Sequence, residues 1–475
     1  MKKTIIIIAG GIVFSTLFYA QNLGINALLY SLFLIVTLLI NHKKLLFKKT
    51  IILSGIAMLA SAAAICAHGS DWSIFMYFLS TFLFLGYIAS SQSSIYVSWL
   101  NGIYTSLFGM FHSLFYQLEK EQKPDNVEKI DIAQVIKLVI IPVVLIVIFT
   151  LLYSSSNPIF NEVLEAIDFS FIDIFWLFTA AIGSLIMANI EKPQAIQELT
   201  KKDQETSNEL QPKSLNDLQL QSVRNESQIG FISILCLNLL LVFVLITEVL
   251  FLTNLNTTQA SVLSQAVHQG VYASIASIVI AIGIIAFIYR GDVNFLKNNQ
   301  KLRALTYIWI ILNALLVASI FTKNYLYIDE HGLTHKRIGV IVYLFLTIAG
   351  LITTYLKVNH RLNFVYLIRR NLVISYTTLA FYGLINWSAI ITEHNIVEEK
   401  VSRTYLESLL PQNALVLKKY NLYDDYKSQT KSSIYHYDDY NEYDFINRNW
   451  QEFNWIAHQL KASNENISKA TAAAK

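Results

Sequence analysis

Apolar stretches long enough to cross a lipid bilayer recur along this chain, and its Lys and Arg residues fall almost entirely on alternate connections between them. A span needs about 20 mostly apolar residues. In lipid each must be a helix, because hydrocarbon offers no partner to backbone N–H and C=O groups. Eleven stretches qualify: Thr4–Ala20, Gly24–Ile40, Ile51–His68, Trp72–Ala89, Val135–Tyr153, Ile172–Ile190, Ile229–Leu252, Val271–Tyr289, Leu305–Tyr327, Ile338–Leu356 and Leu372–Ile391. Only 15% of the 475 residues are charged, against about 25% in soluble domains, so lipid must stand in for the missing polar surface. The expected fold is an all-α membrane protein, a polytopic helical bundle of about eleven spans with a small extracytoplasmic C-terminal appendage. The N-terminal Lys2-Lys3 and apolar run resemble a signal peptide, but Phe18 at the position three before a cut at Ala20 is too large for cleavage to be expected.

Charge placement sets the orientation. With the N-terminus in the cytoplasm and eleven alternating spans, the cytoplasmic segments hold 23 of the 36 Lys and Arg residues. The external connections hold three, Lys323, Lys336 and Arg337, and the tail after the last span holds ten. Positive charge concentrates on cytoplasmic loops, whereas long segments translocate whatever their charge. The N-terminus is therefore expected in the cytoplasm and the C-terminus outside, in a multi-pass protein of the cell inner membrane. A net charge of +3 gives no reason to expect a nucleic-acid partner.

The segments divide as follows. Residues 1–94 read as a four-span bundle. Residues 95–134 hold an interfacial amphipathic helix and a cytoplasmic linker; Leu100, Ile103, Leu107, Phe108 and Phe111 recur at helical spacing, and a twelfth span is the alternative. Residues 135–190 form a two-span unit. Residues 191–228, rich in Gln, Glu, Lys, Asn and Ser, read as a disordered cytoplasmic loop or at best a charged helical extension. Residues 229–391 form a five-span core. Residues 392–475 form an extracytoplasmic tail with amphipathic helices: one at Val401–Leu410, ending at Pro411, and another with Ile446, Trp450, Phe453, Ala457 and Leu460 on one face. That face needs an apolar cover, from the bundle's outer surface or the lipid interface. The Tyr- and Asp-rich stretch Tyr420–Tyr443 reads as a surface loop before it reads as a sugar or peptide site, and Ala462–Lys475 reads as frayed.

Ionisable groups inside spans are costly and usually face the bundle interior or a cavity. Glu248, near the external end of the seventh span, is the best such candidate, with Asp173 second; a carboxylate near the interface can also simply reach water. The external connections gather further polar residues: His268, Gln269, Asp329, His331, Arg337, Asn386, His394 and Asn395. His268, His331, His335, His394 and Asp329 could ligate a metal, but their spacing is not diagnostic, and aromatic-belt hydrogen bonding is the preferred reading. Cys66 and Cys236 lie in apolar stretches without CxxC spacing and read as packing residues. No HExxH, Walker A or GxSxG motif is present, so neither enzyme chemistry nor a cofactor is expected.

Short patterns in order carry a resemblance from about Val135 onward. They are Asn157-Pro158-Ile159-Phe160, His268-Gln269-Gly270, Tyr327 with Gly332-Leu333-Thr334 and Arg337, Arg370-Asn371, Tyr382-Gly383 with Asn386, His394-Asn395-Ile396, Tyr405-Leu406 and Trp450 with Phe453-Asn454-Trp455. In this order they resemble a bacterial family of polytopic membrane proteins built on a domain of unknown function. The resemblance implies the fold but no activity. Most of its residues fall on the expected external side, where they either line a binding mouth or shape the connections. The resulting expectation is a non-enzymatic sensor, scaffold or regulator at the external face, in contact with the lipid bilayer and with an envelope protein or small solute. The alternative is a small-solute or ion permease using Glu248 and His268.

Overall fold

The computed structural model describes residues 2–120, 173–253, 260–400, 402–424 and 442–473, with short stretches between 142 and 160. In chain order the helices are α1 (Lys2–Phe18), α2 (Ile25–Leu46), α3 (Lys49–Ala67), α4 (Asp71–Ala89), α5 (Ile95–Lys120), α6 (Ile174–Glu191), α7 (Gln197–Glu205), α8 (Asp217–Thr253), α9 (Ala260–Ile288), α10 (Gln300–His331), α11 (His335–His360), α12 (Phe364–Gly383), α13 (Trp387–Val397), α14 (Arg403–Glu407), α15 (Ala414–Lys419), α16 (Glu442–Ile446) and α17 (Trp455–Ala473). Among the described residues the extended pairing is one isolated antiparallel bridge, Glu209 with Leu362. The all-helical reading therefore holds. Six of these helices are long and apolar enough to cross a membrane, and the pair α12 and α13 makes a seventh if taken as one bent span. Three shorter apolar helices lie at Lys3–Phe18, Ile25–Ile40 and Ala273–Ile288. The stretch expected to span at Val135–Tyr153 falls largely outside the described residues.

Helix ends follow local chemistry. Ser70 caps α4 by accepting the Ser73 N–H, Thr334 caps α11 by accepting that of Arg337, and Asn363 caps α12 by accepting that of Tyr366. α10 stops at Gly332, whose φ of 79° suits glycine. The last expected span, Leu372–Ile391, is a correction. The helix starts earlier, at Phe364, and breaks after Gly383, where the chain turns by 63° into α13. Asn386 causes the restart, because its side chain accepts the Ala389 N–H.

The chain forms two compact units. The first joins residues 1–20 to 106–194. Within it α1 and α6 lie antiparallel at close range: Gly10 faces the Met187 side chain, Gly11 faces Ser184, and Gly183 faces Phe14. Small residues let helix backbones approach where burial in lipid supplies no drive. Asp173 caps α6, accepting the Phe175 and Trp176 N–H groups at 2.9 and 3.1 Å, so this carboxylate has a local structural use. Asn157 acts alike before Ile159 and Phe160.

The second unit comprises residues 21–105 and 195–475. Its main core joins α8 to α11 through Ile234, Ile285, Tyr289, Trp309, Leu316, Ile320, Leu344 and Leu351. A separate core lies in the tail, where Leu406, Ala414, Leu417 and Leu460 are fully buried with Ile391. Each such leucine contributes roughly 1.5–3 kcal/mol relative to exposure. Docking was expected of this tail, and Ala457 and Leu460 are buried as foreseen. The single helical face was not found. Residues 442–460 split into α16, a 3-10 turn at Trp450–Glu452 and α17, because Asn454 caps a new helix by accepting the Ile456 and Ala457 N–H groups. α17 then runs to Ala473, past the point where fraying was expected. Most of the Tyr- and Asp-rich stretch lies outside the described residues.

α5 buries Ser98, Asn101 and Thr105 and exposes Leu100, Leu107 and Phe108. Its Gly102 meets the backbone of Phe82, and Gly86 of α4 meets that of Ser98. In the 191–228 loop the expected alternative, a charged helical extension, holds for residues 217–228, which begin α8, rather than disorder. The loop also contains α7, on which Thr200 and Asp203 are buried.

Candidate functional site

Polar side chains of the second unit collect at its two ends and at one point between the helices. One end, here the tail end, joins the turn before α2, the α3–α4 turn, the α10–α11 turn, the α12–α13 bend and the tail. Asn395 of α13 works as a two-sided clamp: its Oδ1 accepts the Leu333 N–H at 2.6 Å and its Nδ2 donates to the Leu333 carbonyl at 2.9 Å. A Cβ at Gly332 would lie 2.6 Å from that same Oδ1, so the glycine serves both the positive φ and the close approach. Arg337 donates to the Gly332 carbonyl and stacks on the Tyr327 ring at 4.1 Å. Its own carbonyl accepts from Asn324. Asn386 donates to the Gln412 carbonyl at 2.8 Å, and Asn413 reaches Thr392 and the Leu406 carbonyl. His335 lies 3.2 Å from the Ser388 hydroxyl, and the Tyr405 hydroxyl accepts its backbone N–H.

The structure separates the expected site residues. Arg337, Asn386 and Asn395 spend their hydrogen bonds on connections. Asp329 and His331 lie at the end of α10; Asp329 is exposed and 3.8 Å from Lys400, while the His331 ring packs on Tyr327. His394, half-buried on α13, follows Glu393, which pairs with Lys419 at 2.6 Å. His268 and Gln269 are on α9, but their side chains lie outside the described residues. Among the described residues no three His, Cys, Asp or Glu side chains come together as a metal site.

Glu248 stands apart from these, within the helices. Its carboxylate meets the Lys323 ammonium at 2.5 Å and accepts the Ser319 hydroxyl at 2.7 Å. Lys323 also lies over the Phe251 ring at 4.8 Å. Lys323, although counted with the connections, falls within the expected span Leu305–Tyr327 and lies inside α10, where it neutralises the carboxylate in place. Ser319 and Lys323, four residues apart on one helix face, were the signal that could have shown this.

The opposite end, here the latch end, was not foreseen. Asp203 of α7 is almost fully buried and accepts four donors: the Ser94 N–H at 2.7 Å, the Ser94 hydroxyl at 2.8 Å, the Tyr96 hydroxyl at 2.9 Å and the Arg369 guanidinium at 2.9 Å. Arg369 also donates to the Asp203, Thr206 and Asn208 oxygens. Burial by itself raises the Asp203 pKa; the Ser94, Arg369 and Tyr96 donors outweigh it and hold the carboxyl below its ordinary value. Asn363 adds two bonds to the Ser207–Asn208 backbone. A cleft of about 270 Å³ beside this latch is lined by Tyr87, Gln92, Ser93, Gln204, Arg369 and Val373 among others. Nearby, Lys357 is fully buried and donates to the Tyr289 carbonyl at 2.7 Å, where a cation suits the C-terminus of α9.

Residues 50–420 match a family model described as a domain of unknown function, DUF4153. The match bears out the resemblance to a membrane family built on a domain of unknown function; it starts earlier than the motifs and ends before Trp450–Trp455. No curated protein and no solved structure matches the chain.

Proposed function

The chain belongs to the DUF4153 family, and from that premise we propose that it is a non-enzymatic scaffold or regulator of the cell inner membrane, acting through its tail end. The arrangement that supports this best is the use of polar groups. At the tail end, Asn386, Asn395 and Asn413 are engaged with backbone and neighbouring side chains, and the tail packs over the connections. Between the helices, Glu248 is neutralised by Lys323 rather than left free for a passing solute. The result is a rigid platform presented by a helical bundle.

In this reading about eleven spans thread the bilayer. The six long apolar helices, the bent pair and the three shorter ones supply ten, and the apolar sequence 135–153 is expected to make the eleventh. α5 lies in the membrane interface with its apolar face toward lipid. The latch end, rich in Lys and Arg, is cytoplasmic, and the tail end is outside, where an envelope protein or a small solute would meet it.

A permease is the second reading, favoured by the Glu248–Lys323 pair, because ion pairs inside membrane helices mark many transport paths. Reconstituted vesicles separate the two. The scaffold reading predicts no protein-dependent flux of protons, sodium, potassium, chloride, sugars or amino acids. A flux that E248Q abolishes while the protein remains folded would replace it with the permease.

A further inference from the structure

Residues 449–455 are pinned to the ends of two apolar helices. Asn449 donates to the Gln21 side chain at 3.0 Å. Glu452 accepts the Asn22 backbone N–H at 2.7 Å and its side-chain amide at 3.3 Å. Its backbone lies so close to Gly24 that any Cβ there would collide. Asn454 donates to the Ile65 carbonyl at 3.2 Å, in the last turn of α3, and a Cβ on Gly69 in the following turn would lie 3.2 Å from its amide nitrogen. The segment is thus fixed at the level where α2 begins and α3 ends. α3 has the length and composition of a membrane span.

The pinned residues are buried and their neighbours are not. Glu452 and Asn454 are 7% and 3% exposed, whereas Trp450 and Trp455 are 61% and 51% exposed. Trp72, at the start of α4 just past that turn, is 42% exposed. Three indole rings are therefore partly exposed at one end of the spans, Trp72 with an edge on Tyr382 and Trp455 beside His458. Tryptophan favours the headgroup zone of a bilayer, where the ring is shielded and its N–H stays wet.

We propose that Trp450 and Trp455 are seated in the lipid headgroup zone, so that residues 449–455 form a strap clipped to α2 and α3 on one side and resting on the membrane surface on the other. The occupant of this face is lipid, because the strap is continuous with the ends of membrane helices. The inference does not rest on the scaffold reading and stands whichever leaflet the tail faces.

The test uses the full-length protein in phosphatidylcholine vesicles containing lipid brominated near the headgroup or near the methyl terminus. The signal is the tryptophan fluorescence of the wild type minus that of W450F/W455F. The expected result is a loss of roughly half of this difference with the shallow bromine, less with the deep one, and little with aqueous iodide. Quenching by iodide without quenching by either brominated lipid would overturn the proposal, placing the rings in water. Quenching by neither would overturn it too, placing them against protein. W450F and W455F alone carry the same measurement if the double variant does not fold.

Discussion

The two ends of the second unit are braced by different chemistry. At the tail end neutral amides recur as braces, namely Asn395 on Leu333, Asn386 on Gln412, Asn413 on Leu406 and Asn454 on Ile65, beside the charged Arg337 on Gly332 and Glu452 on Asn22. At the latch end ionic and cationic braces dominate, namely Arg369 with Asp203, Arg290 with Glu226 at 2.7 Å, Lys357 on Tyr289 and Arg303 on Asn294, with Asn363 on Ser207 as a neutral one. The same cations that indicate membrane orientation in the sequence thus also hold connections together. An amide can satisfy a buried backbone N–H and C=O at once without bringing charge. A guanidinium can gather several carbonyls but must itself be neutralised, which is the use of Asp203.

This contrast can be broken most severely at Arg369. R369A leaves a buried Asp203 carboxylate without its counter-charge and should cost about 3 kcal/mol, seen as a large drop in thermal stability in detergent. D203N, which keeps an acceptor for Ser94, should lose less; equal stability of R369A and wild type would refute the latch. At the tail end N395A orphans the backbone N–H and C=O of Leu333 and should cost about 2 kcal/mol, with faster amide exchange at Leu333 as the local sign. G332A should cost about 1 kcal/mol through its positive φ and the collision with Asn395.

The two ends also respond differently to acid. The folded Asp203 pKa lies below its unfolded value, so its contribution is complete above the unfolded value of about 3.9 and lost as pH falls through the folded one. Amide exchange in α7 should accelerate below about pH 4, while the Asn395 clamp, an uncharged amide on backbone groups, should be unmoved by that titration. The smallest effect is expected for K419A, whose partner Glu393 is an exposed carboxylate; thermal stability should not change measurably.

Much of this was legible in the sequence. Span positions follow from runs of apolar residues, and most helices begin and end within a few residues of them. Arg337, Asn386 and Asn395 stood out because short ordered motifs contained them. Their work as clamps was not legible, since Asn395 lies 62 residues from Leu333. Asp203 escaped notice for the same reason. Its partners Ser94 and Arg369 are 109 and 166 residues away, and its surroundings have the composition of a solvated loop. The break at residues 384–386 was missed because the apolar run continues through it; Asn386 redirects the chain by capping, which hydropathy does not register.

In the proposed orientation the tail end and the latch end face opposite sides of a membrane. With Cys66 and Cys236 replaced by Ser, single cysteines at Ser402 and Ser214 can be challenged with a membrane-impermeant maleimide. Intact cells should label S402C at once and S214C only after permeabilisation. Labelling of both in intact cells, of neither, or in the reverse order would contradict it.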